Sequence, residues 1–553
     1  MHLFADLLFT NGRVYTADAR TPWAKAVAVR GERILAVGPA ADLAELRGPR
    51  TEVIDLAGRL LLPGFTESHV HFIELALRAT EIDVTAAPSA RAAVEMVRAH
   101  VAAQADRPSA WIRGAGWHAS TWTDGVRPHR ALLDAVAPDV PVALDSKDLH
   151  SIWLNSAALR RAGITAATAD VSGGVIERDA DGEPTGVLRE NAVSLAYNAI
   201  PKPAISETVT AVKAAIPGMW ATGIVALHNA NDSADGLSLR THQALRKQDE
   251  LGLRVVQHLP ACNLDHARAI GLQSGLGDPW LRIGGVKFFA DGALGSRTAH
   301  MLQPFLDNPN NWGVTAIDPE ELLERALLAS AAGLSLTIHA IGDRANRDVL
   351  NVLAEVRRQE TELRIVDCGL QIATPISQIR NRIEHVQCIH PDDLPRLVEL
   401  DVIASVQPIH ATSDMHMVDR FWGDERARGA YAFRSLLDSG AKLVFGSDGP
   451  IEPHAPLIGI HAAVTRRRAD GSPGSNGWQG QERITVREAI DAYTIWPAYA
   501  AGEEGYRGSI VPGKVADLVV LSGDIFAVDP MAILDAKVDM TVLDGAVVWH
   551  RLT

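Results

Sequence analysis

Hydrophobic and polar positions follow two different patterns along this chain. At both ends, short runs of alternating apolar and polar residues are separated by turn signals such as NG at residues 11–12 and DG at 544–545. Such alternation predicts half-buried strands that are joined by hairpin turns. Because neither end is large enough to bury a sheet face alone, we predict one small β-sandwich built from residues 1–60 and 500–553.

Between the two ends, strand-like apolar runs alternate with longer helical patterns, which is typical of βα units around a parallel sheet. Eight such runs occur, at residues 61–71, 223–229, 253–260, 283–292, 334–342, 382–387, 402–408 and 442–450. This α/β pattern predicts a (β/α)8 barrel of the TIM type over residues 61–499. A doubly wound sheet is the alternative, but no Gly-rich phosphate fingerprint follows an early strand.

The gap between the first and second predicted strands is about 150 residues. A barrel loop is normally far shorter. We therefore expect residues 78–220 to form an inserted subdomain or lid.

Composition narrows the class of protein. The 553 residues are 47% hydrophobic and 22% charged, as in a soluble multidomain protein, and the net charge of −14 argues against nucleic acid or an anionic membrane as partner. The cysteines, Cys262, Cys368 and Cys388, are few and far apart, which predicts neither a disulfide framework nor a thiolate zinc site. With no signal-peptide pattern and no long apolar stretch, the expected location is the cytoplasm.

Ionisable residues lie at or near the C-terminal ends of five of the eight predicted strands. In an extended segment, residues two apart point to the same side, so the pair His69 and His71 faces one centre. The full set is His69, His71, Lys287, His339, His385 and Asp448. The C-terminal strand ends meet at the mouth of a barrel, so these side chains are predicted to converge there.

Each of these residues also has a simpler interpretation when it is considered alone. A single histidine in an apolar strand is usually a core residue, a strand-end lysine reaches solvent, and Asp448 in GSDGP could be a turn residue. Five strands with the right residue at the right end favour a metal site instead. Imidazoles and a carboxylate suit Zn²⁺, Fe²⁺, Mn²⁺ or Co²⁺. Such a metal activates a bound water molecule, and Asp448 would then relay the proton of that water.

Longer motifs carry a family resemblance. LLPGFTESHVHF resembles the first-strand signature of the amidohydrolase superfamily. VKFFADGALGSRTA, LTIHAIGDRAN, RIEHVQ and FGSDGPIEPHAPLIGI resemble its YtcJ-like branch, amidohydrolase family 3, and the resemblance extends over nearly the whole chain.

The resemblance implies a role for each strand-end residue. His69 and His71 match the ligand pair of the first strand, His339 and His385 match the ligands of strands five and six, and Asp448 matches a ligand that is also the general base. Lys287 matches a lysine that in many relatives is carboxylated by CO₂ and bridges two metals. An unmodified Lys287 would favour a site with one metal.

Further residues are candidates for contacts with the substrate. His150, in an insert motif, is a candidate oxyanion stabiliser or substrate contact, and a surface-loop histidine is its plain alternative. Four other residues lie in the insert or in loops after barrel strands and could line the site; they are Trp117, Asn155, Asp291 and Arg297. His410 follows the seventh strand in a segment that is too polar for a core helix, and it is a possible contact.

The sequence therefore predicts a zinc-dependent hydrolase of C–N bonds outside peptides, with an N-substituted amide, formamide or cyclic amide as its small-molecule substrate. An ester or lactone hydrolase, or a metal-assisted decarboxylase or isomerase, would use the same ligands. A non-catalytic binding protein on the same barrel is the third hypothesis, but none of the six ligand positions has been lost. We expect a homodimer.

Overall fold

Eight strands form one parallel sheet in the part of the chain that the structure describes. The structure is a computed structural model that describes residues 4–103, 111–119, 122, 125–146, 151–171, 174–190, 192–230, 233–367 and 379–551. The strands are Phe65–Val70, Ile224–Asn229, Arg254–Pro260, Leu281–Phe289, Leu336–Ala340, Arg382–His385, Ile403–Val406 and Leu443–Phe445. Each strand pairs in parallel with the next one along the chain. Most of their residues are buried, which explains why the runs are apolar.

The two edges of this sheet meet. Asp448 donates its backbone N–H to the carbonyl of His69 at 2.8 Å, and His71 donates to the carbonyl of Gly449, also at 2.8 Å. These bonds join the chain after the eighth strand to the end of the first strand. The sheet is therefore a barrel and not an open doubly wound sheet, which confirms the predicted fold class.

The run predicted as the first barrel strand, residues 61–71, is divided between two sheets. Leu60–Pro63 pairs with a C-terminal strand, and Phe65–Val70 starts the barrel. Gly64 lies between them, and a Cβ at this position would come within 2.5 Å of Val225 Cγ2. The prediction of one continuous strand is wrong here because both strands are buried, so hydrophobicity does not mark the break.

Both chain ends contribute to a β-sandwich. Within the described residues, one sheet has four strands, Leu7–Thr10, Ala26–Arg30, Arg33–Gly38 and Glu52–Asp55. In the same part of the chain the other has six, Arg13–Tyr15, Trp23–Ala24, Leu60–Pro63, Leu518–Leu521, Val538–Leu543 and Ala546–His550. Phe9 and Val27 of the first sheet share an apolar core with Leu61 and Val520 of the second. Neither chain end could bury this core alone.

Helices connect the barrel strands and also follow the eighth strand. In the described ranges they are Leu237–Lys247, Leu264–Ala269, Pro319–Ala331, Asp343–Asp367, Leu394–Glu399, Pro408–Ser413, Met415–Phe421, Gly423–Ala427, Phe433–Asp438, Pro456–Thr465, Val486–Tyr493 and Ile495–Ala500. Ala40–Leu43 is a short helix near the N-terminus, and short 3₁₀ segments are Ala44–Leu46, Ala261–Asn263, Pro391–Asp393, Gly480–Glu482 and Pro530–Asp535. None of the helices seen in these ranges has the length and hydropathy that a membrane span requires.

Residues Ile73–Ala211 form a compact unit of their own, and Met1–Phe72 with Val212–Thr553 form the other. The described strands of the inserted unit are Ile82–Asp83, Ile112–Trp117, Val142–Ser146, Ser151–Leu154, Gly174–Arg178 and Pro184–Glu190. Its helices are Ala90–Ala103, Arg130–Asp134, Ser156–Arg161 and Val193–Tyr197, and the helices Phe72–Arg78 and Ile205–Ala221 begin and end the insertion. Trp117, Leu144 and Trp153 lie in its core.

A buried arginine joins the barrel to the C-terminal strands. Arg254 begins the third barrel strand and is 2% exposed. Its guanidinium donates to Asp517 at 2.7 and 3.1 Å and to Asp544 at 2.7 Å. Removing one partner of a buried ion pair leaves an uncompensated charge, which costs about 3–5 kcal/mol.

We predict that Arg254→Met lowers the free energy of unfolding by about 3–5 kcal/mol, measured by urea denaturation. The control is Lys213→Met, because Lys213 forms an exposed pair with Glu250 at 2.7 Å. An exposed pair contributes about 0–1 kcal/mol, so this variant should unfold almost like the wild type. Equal losses in the two variants would contradict a stabilising role for the buried pair.

Candidate metal centre

Three candidate ligands meet where the barrel closes. His69 and His71 are two residues apart at the end of the first strand, so their side chains point to the same side. His69 Nε2 lies 3.3 Å from Asp448 Oδ1, and His71 Nε2 lies 3.1 Å from the same oxygen. Asp448 has a φ of 58°, a left-handed conformation that aspartate adopts more readily than most residues.

The geometry of these three residues fits a divalent cation. With metal–ligand distances of about 2.0–2.1 Å, two ligands of a tetrahedral ion lie about 3.3 Å apart, close to the separations seen here. Asp448 Oδ1 is buried and has no hydrogen bond of normal geometry among the described residues, although two imidazole nitrogens are near it. A buried carboxylate oxygen without a donor is costly, and a cation would satisfy it.

The ionisation of Asp448 is also suited to a ligand. Burial opposes ionisation, but the attraction of His69, with the contacts from His69 and His71, outweighs burial and holds the pKa of Asp448 well below its usual range. Asp448 is therefore a carboxylate at neutral pH.

His339 and His385 continue the row of imidazoles across strands five and six. The ring centroids of His69 and His385 are 5.0 Å apart, and those of His385 and His339 are 4.6 Å apart. His385 Nδ1 lies 2.8 Å from Gln407 Oε1, and His339 Nε2 lies 2.9 Å from the carbonyl of Gly292. Burial lowers the pKa of His339 to about 3 and that of His385 well below its usual range. Both imidazoles are therefore neutral, the form that binds metals.

Lys287 lies on the fourth strand and is 2% exposed. Its Nζ is 4.9 Å from the centroid of the Phe289 ring. Burial lowers the pKa of Lys287 to about 8, even though the nearby Glu384 and Asp448 favour the charged form. Some of the lysine is therefore a neutral amine near pH 7, and the neutral amine is the form that can add CO₂.

Sequence reasoning missed a buried carboxylate behind His69. Glu384 is fully buried and hydrogen-bonds to His69 Nδ1. Arg382 Nε lies 2.5 Å from Glu384 Oε1, and Arg382 Nη2 donates to Ser68 O at 2.6 Å. Because the carboxylate accepts, His69 Nδ1 carries the proton and its Nε2 is left for a ligand.

Glu384 and His385 are adjacent in the chain, yet both reach His69. Neighbouring residues of a regular strand point to opposite sides, but His385 has a φ of 76° and leaves that pattern. In the sequence, Arg382 and Glu384 fall within a run that is predicted as a barrel strand, and two charges there were the signal that could have revealed the buried pair. The structure shows that no position of this strand is exposed.

Glu67 precedes His69 by two residues on the first strand. Its Oε1 accepts the backbone N–H of His69 at 3.1 Å and that of Ser447 at 2.8 Å. Burial raises the pKa of Glu67 to about 8. Glu67 therefore connects the first and eighth strands directly behind the candidate ligands.

The other predicted residues outside the inserted unit have different surroundings. Asp291 accepts backbone N–H groups of His300, Ile341 and Gly342 at 2.8–3.0 Å, so it organises the loops after strands four and five. Arg297 is largely exposed and donates to Asp307 at 2.8 Å. His410 is 8% exposed, and its ring is stacked 6.3 Å from that of His385.

Two predicted substrate contacts lie in the core of the inserted unit. Trp117 is 4% exposed and donates from Nε1 to Leu144 O at 2.7 Å. Asn155 is fully buried and uses its amide on backbone groups, including Val142 N at 3.0 Å and Ala158 N at 2.8 Å. Both residues support the fold of their own unit, and their role in substrate binding stays a prediction. His150 lies outside the described residues.

Comparisons with known proteins identify the family of this chain. A model of the amidohydrolase family matches residues 52–549. The chain is 34% identical to the protein LONG AFTER FAR-RED 3 of Arabidopsis thaliana, over 94% of this chain and 88% of that protein. It is 32% identical to a Bacillus subtilis (strain 168) protein named as an amidohydrolase, YtcJ, over 98% of this chain and 99% of that one.

Two further similarities extend over nearly the full length. The N-substituted formamide deformylase of Arthrobacter pascens is 28% identical over 99% of this chain and 98% of its own. The crystal structure of an uncharacterized metal-dependent hydrolase from Pyrococcus furiosus superposes with a TM-score of 0.76 at 28% identity, over 94% of this chain and 99% of that one. The chain therefore belongs to the amidohydrolase family, in its YtcJ-like branch, and it is a hydrolase.

Proposed function

We propose that this metal-dependent hydrolase cleaves a C–N bond outside a peptide, in an N-substituted amide, formamide or cyclic amide. The observation that carries the proposal is the convergence of His69 Nε2 and His71 Nε2 on the same oxygen of Asp448, at 3.3 and 3.1 Å. The similarity to an N-substituted formamide deformylase supports the choice of substrate class.

In this proposal His69, His71 and Asp448 would hold a zinc ion, and His339, His385 and a carboxylated Lys287 would be the further ligands of a centre with one or two ions. When bound, such an ion would lower the pKa of a water molecule towards about 7 and polarise the substrate carbonyl. The lowered pKa of Lys287, about 8, supports carboxylation, since it leaves neutral amine to react with CO₂.

Asp448 acts as general base and then as general acid. Its carboxylate is ionised, buried and near two imidazoles, so it can accept the proton of the attacking water. The oxygen of that water bonds to the carbonyl carbon. The C–N bond then breaks, and Asp448 returns the proton to the leaving nitrogen, so the products are a carboxylic acid and an amine.

Glu384 supports this chemistry without touching the substrate. Its bond to His69 Nδ1 fixes the tautomer and the ring orientation of His69, and Arg382 keeps Glu384 ionised. The pKa of Glu384 is well below its usual range because Arg382 and His69 outweigh the effect of burial. A carboxylate behind a metal-binding histidine raises its basicity and fixes its geometry.

Removal of the metal tests the proposal as a whole. Protein stripped with a chelator should lose hydrolysis of N-substituted formamides and amides, and Zn²⁺ or Mn²⁺ should restore it, as measured by release of the amine. Esters with the same acyl group serve as matched substrates. Full activity in metal-free protein would overturn the proposal, and cleavage of the esters but not of the amides would make the protein an esterase.

The variant Asp448→Asn tests the proton relay. We expect kcat to fall by about 10²–10⁴-fold, with the metal content by elemental analysis almost unchanged, because asparagine can still coordinate but cannot take a proton. The control is Asp401→Asn, since Asp401 is exposed and has a similar φ of 49°. Unchanged turnover in Asp448→Asn would remove Asp448 from the role of base.

The variant Glu384→Gln tests the support of His69. We expect the Kd for Zn²⁺ to rise by about 10–100-fold, measured by titration of metal-free protein. The control is Glu503→Gln, which weakens another buried pair, between Glu503 and Arg507 at 2.6 Å. Neither of these residues is a candidate metal ligand. An equal change of Kd in both variants would show that Glu384 contributes only to stability.

A further inference from the structure

A fourth imidazole lies beside the candidate ligands and has no assigned partner. His410 is on the helix Pro408–Ser413, which follows the seventh barrel strand, and it is 92% buried. Its Nε2 is buried and has no hydrogen-bond partner among the described residues. A buried polar atom without a partner costs about 1–3 kcal/mol, so a ligand at this nitrogen would relieve a real penalty.

The same segment also orients His385. Gln407 comes just before this helix, and its Oε1 lies 2.8 Å from His385 Nδ1. Since an amide oxygen can only accept, Nδ1 carries the proton and Nε2 of His385 has the lone pair. One short segment, Gln407–His410, therefore fixes one imidazole and supplies another.

Three ligand atoms come together at this place. One nitrogen each of His385 and His410 and one carboxylate oxygen of Asp448 all lie within 4.8 Å of one another. The carboxylate oxygen and the free nitrogen of His385 are both lone-pair donors. Because both atoms carry lone pairs, the space that they border favours a cation. It disfavours a substrate atom that is itself a hydrogen-bond acceptor.

We infer that His410 is a metal ligand, which with His385 and Asp448 forms a second divalent-metal position beside that of His69 and His71. Asp448 belongs to both groups of ligands and would bridge the two ions. Two imidazoles and a carboxylate suit Zn²⁺ or Co²⁺. The inference rests on the proposed function, because both use the metal site at the mouth of the barrel.

This second position differs from one built on Lys287. Lys287 becomes a ligand only after it has added CO₂, whereas His385, His410 and Asp448 need no modification. Binding of the second ion should therefore not depend on bicarbonate. That difference allows the two ligand sets to be separated experimentally.

The test is a titration of metal-free protein with Zn²⁺ in buffer freed of CO₂, with the bound metal counted by elemental analysis after desalting. Wild-type protein should bind two ions, and His410→Ala should bind one. His410→Gln, which keeps a polar side chain, should also bind one, and thermal unfolding checks that both variants are folded. Lys287→Ala should keep both ions.

The matched control is His242→Ala. His242 is also fully buried with an unpartnered Nε2 within the described ranges, but it belongs to neither group of candidate ligands. This variant should bind two ions.

Three results would overturn the inference. Wild-type protein could bind a single ion without CO₂, the second ion could be lost in Lys287→Ala and kept in His410→Ala, or both His410 variants could keep both ions. Because the titration contains no substrate, a failure of the proposed amide hydrolysis would leave its outcome unchanged.

Discussion

Hydrogen bonds between the ends of the first and eighth barrel strands close the barrel and also set the positions of the candidate metal ligands. The backbones of His69 and Asp448 are bonded to each other at 2.8 Å, and Glu67 accepts N–H groups from both strands. Gly446 is part of this closure, since a Cβ there would come within 2.5 Å of His69 N. The side chains of His69, His71 and Asp448 converge because their backbones are already joined.

Behind this closure the barrel interior contains a layer of charged groups. Arg382 bonds to Glu384, to the carbonyl of Ser68, to Ser405 and to His228 Nδ1. In a low-dielectric interior a buried charge is tolerated when it is paired with an opposite charge and hydrogen-bonded. The pairing with Arg382 keeps Glu384 ionised, and Glu384 fixes His69. The stability of the core and the geometry of the metal centre therefore depend on the same contacts.

The sequence predicted the parts of the fold and site that local pattern determines. Alternation along a strand placed His69 and His71 on one side, and the C-terminal ends of parallel strands placed His339, His385 and Asp448 nearby. Pairings between distant residues could not be predicted in this way: Glu384 and His69 are 315 residues apart. The break at Gly64 was missed because it depends on the close approach of Val225, and the burial of Asn155 depends on turns that bring backbone groups to its amide.

Anomalous diffraction at the zinc absorption edge, from crystals of the zinc-loaded protein, is the most direct measurement of the central claim. The account predicts a strong anomalous peak within about 2.0–2.3 Å of His69 Nε2, His71 Nε2 and an oxygen of Asp448. A zinc peak elsewhere in the protein, or no peak between these three side chains, would contradict it.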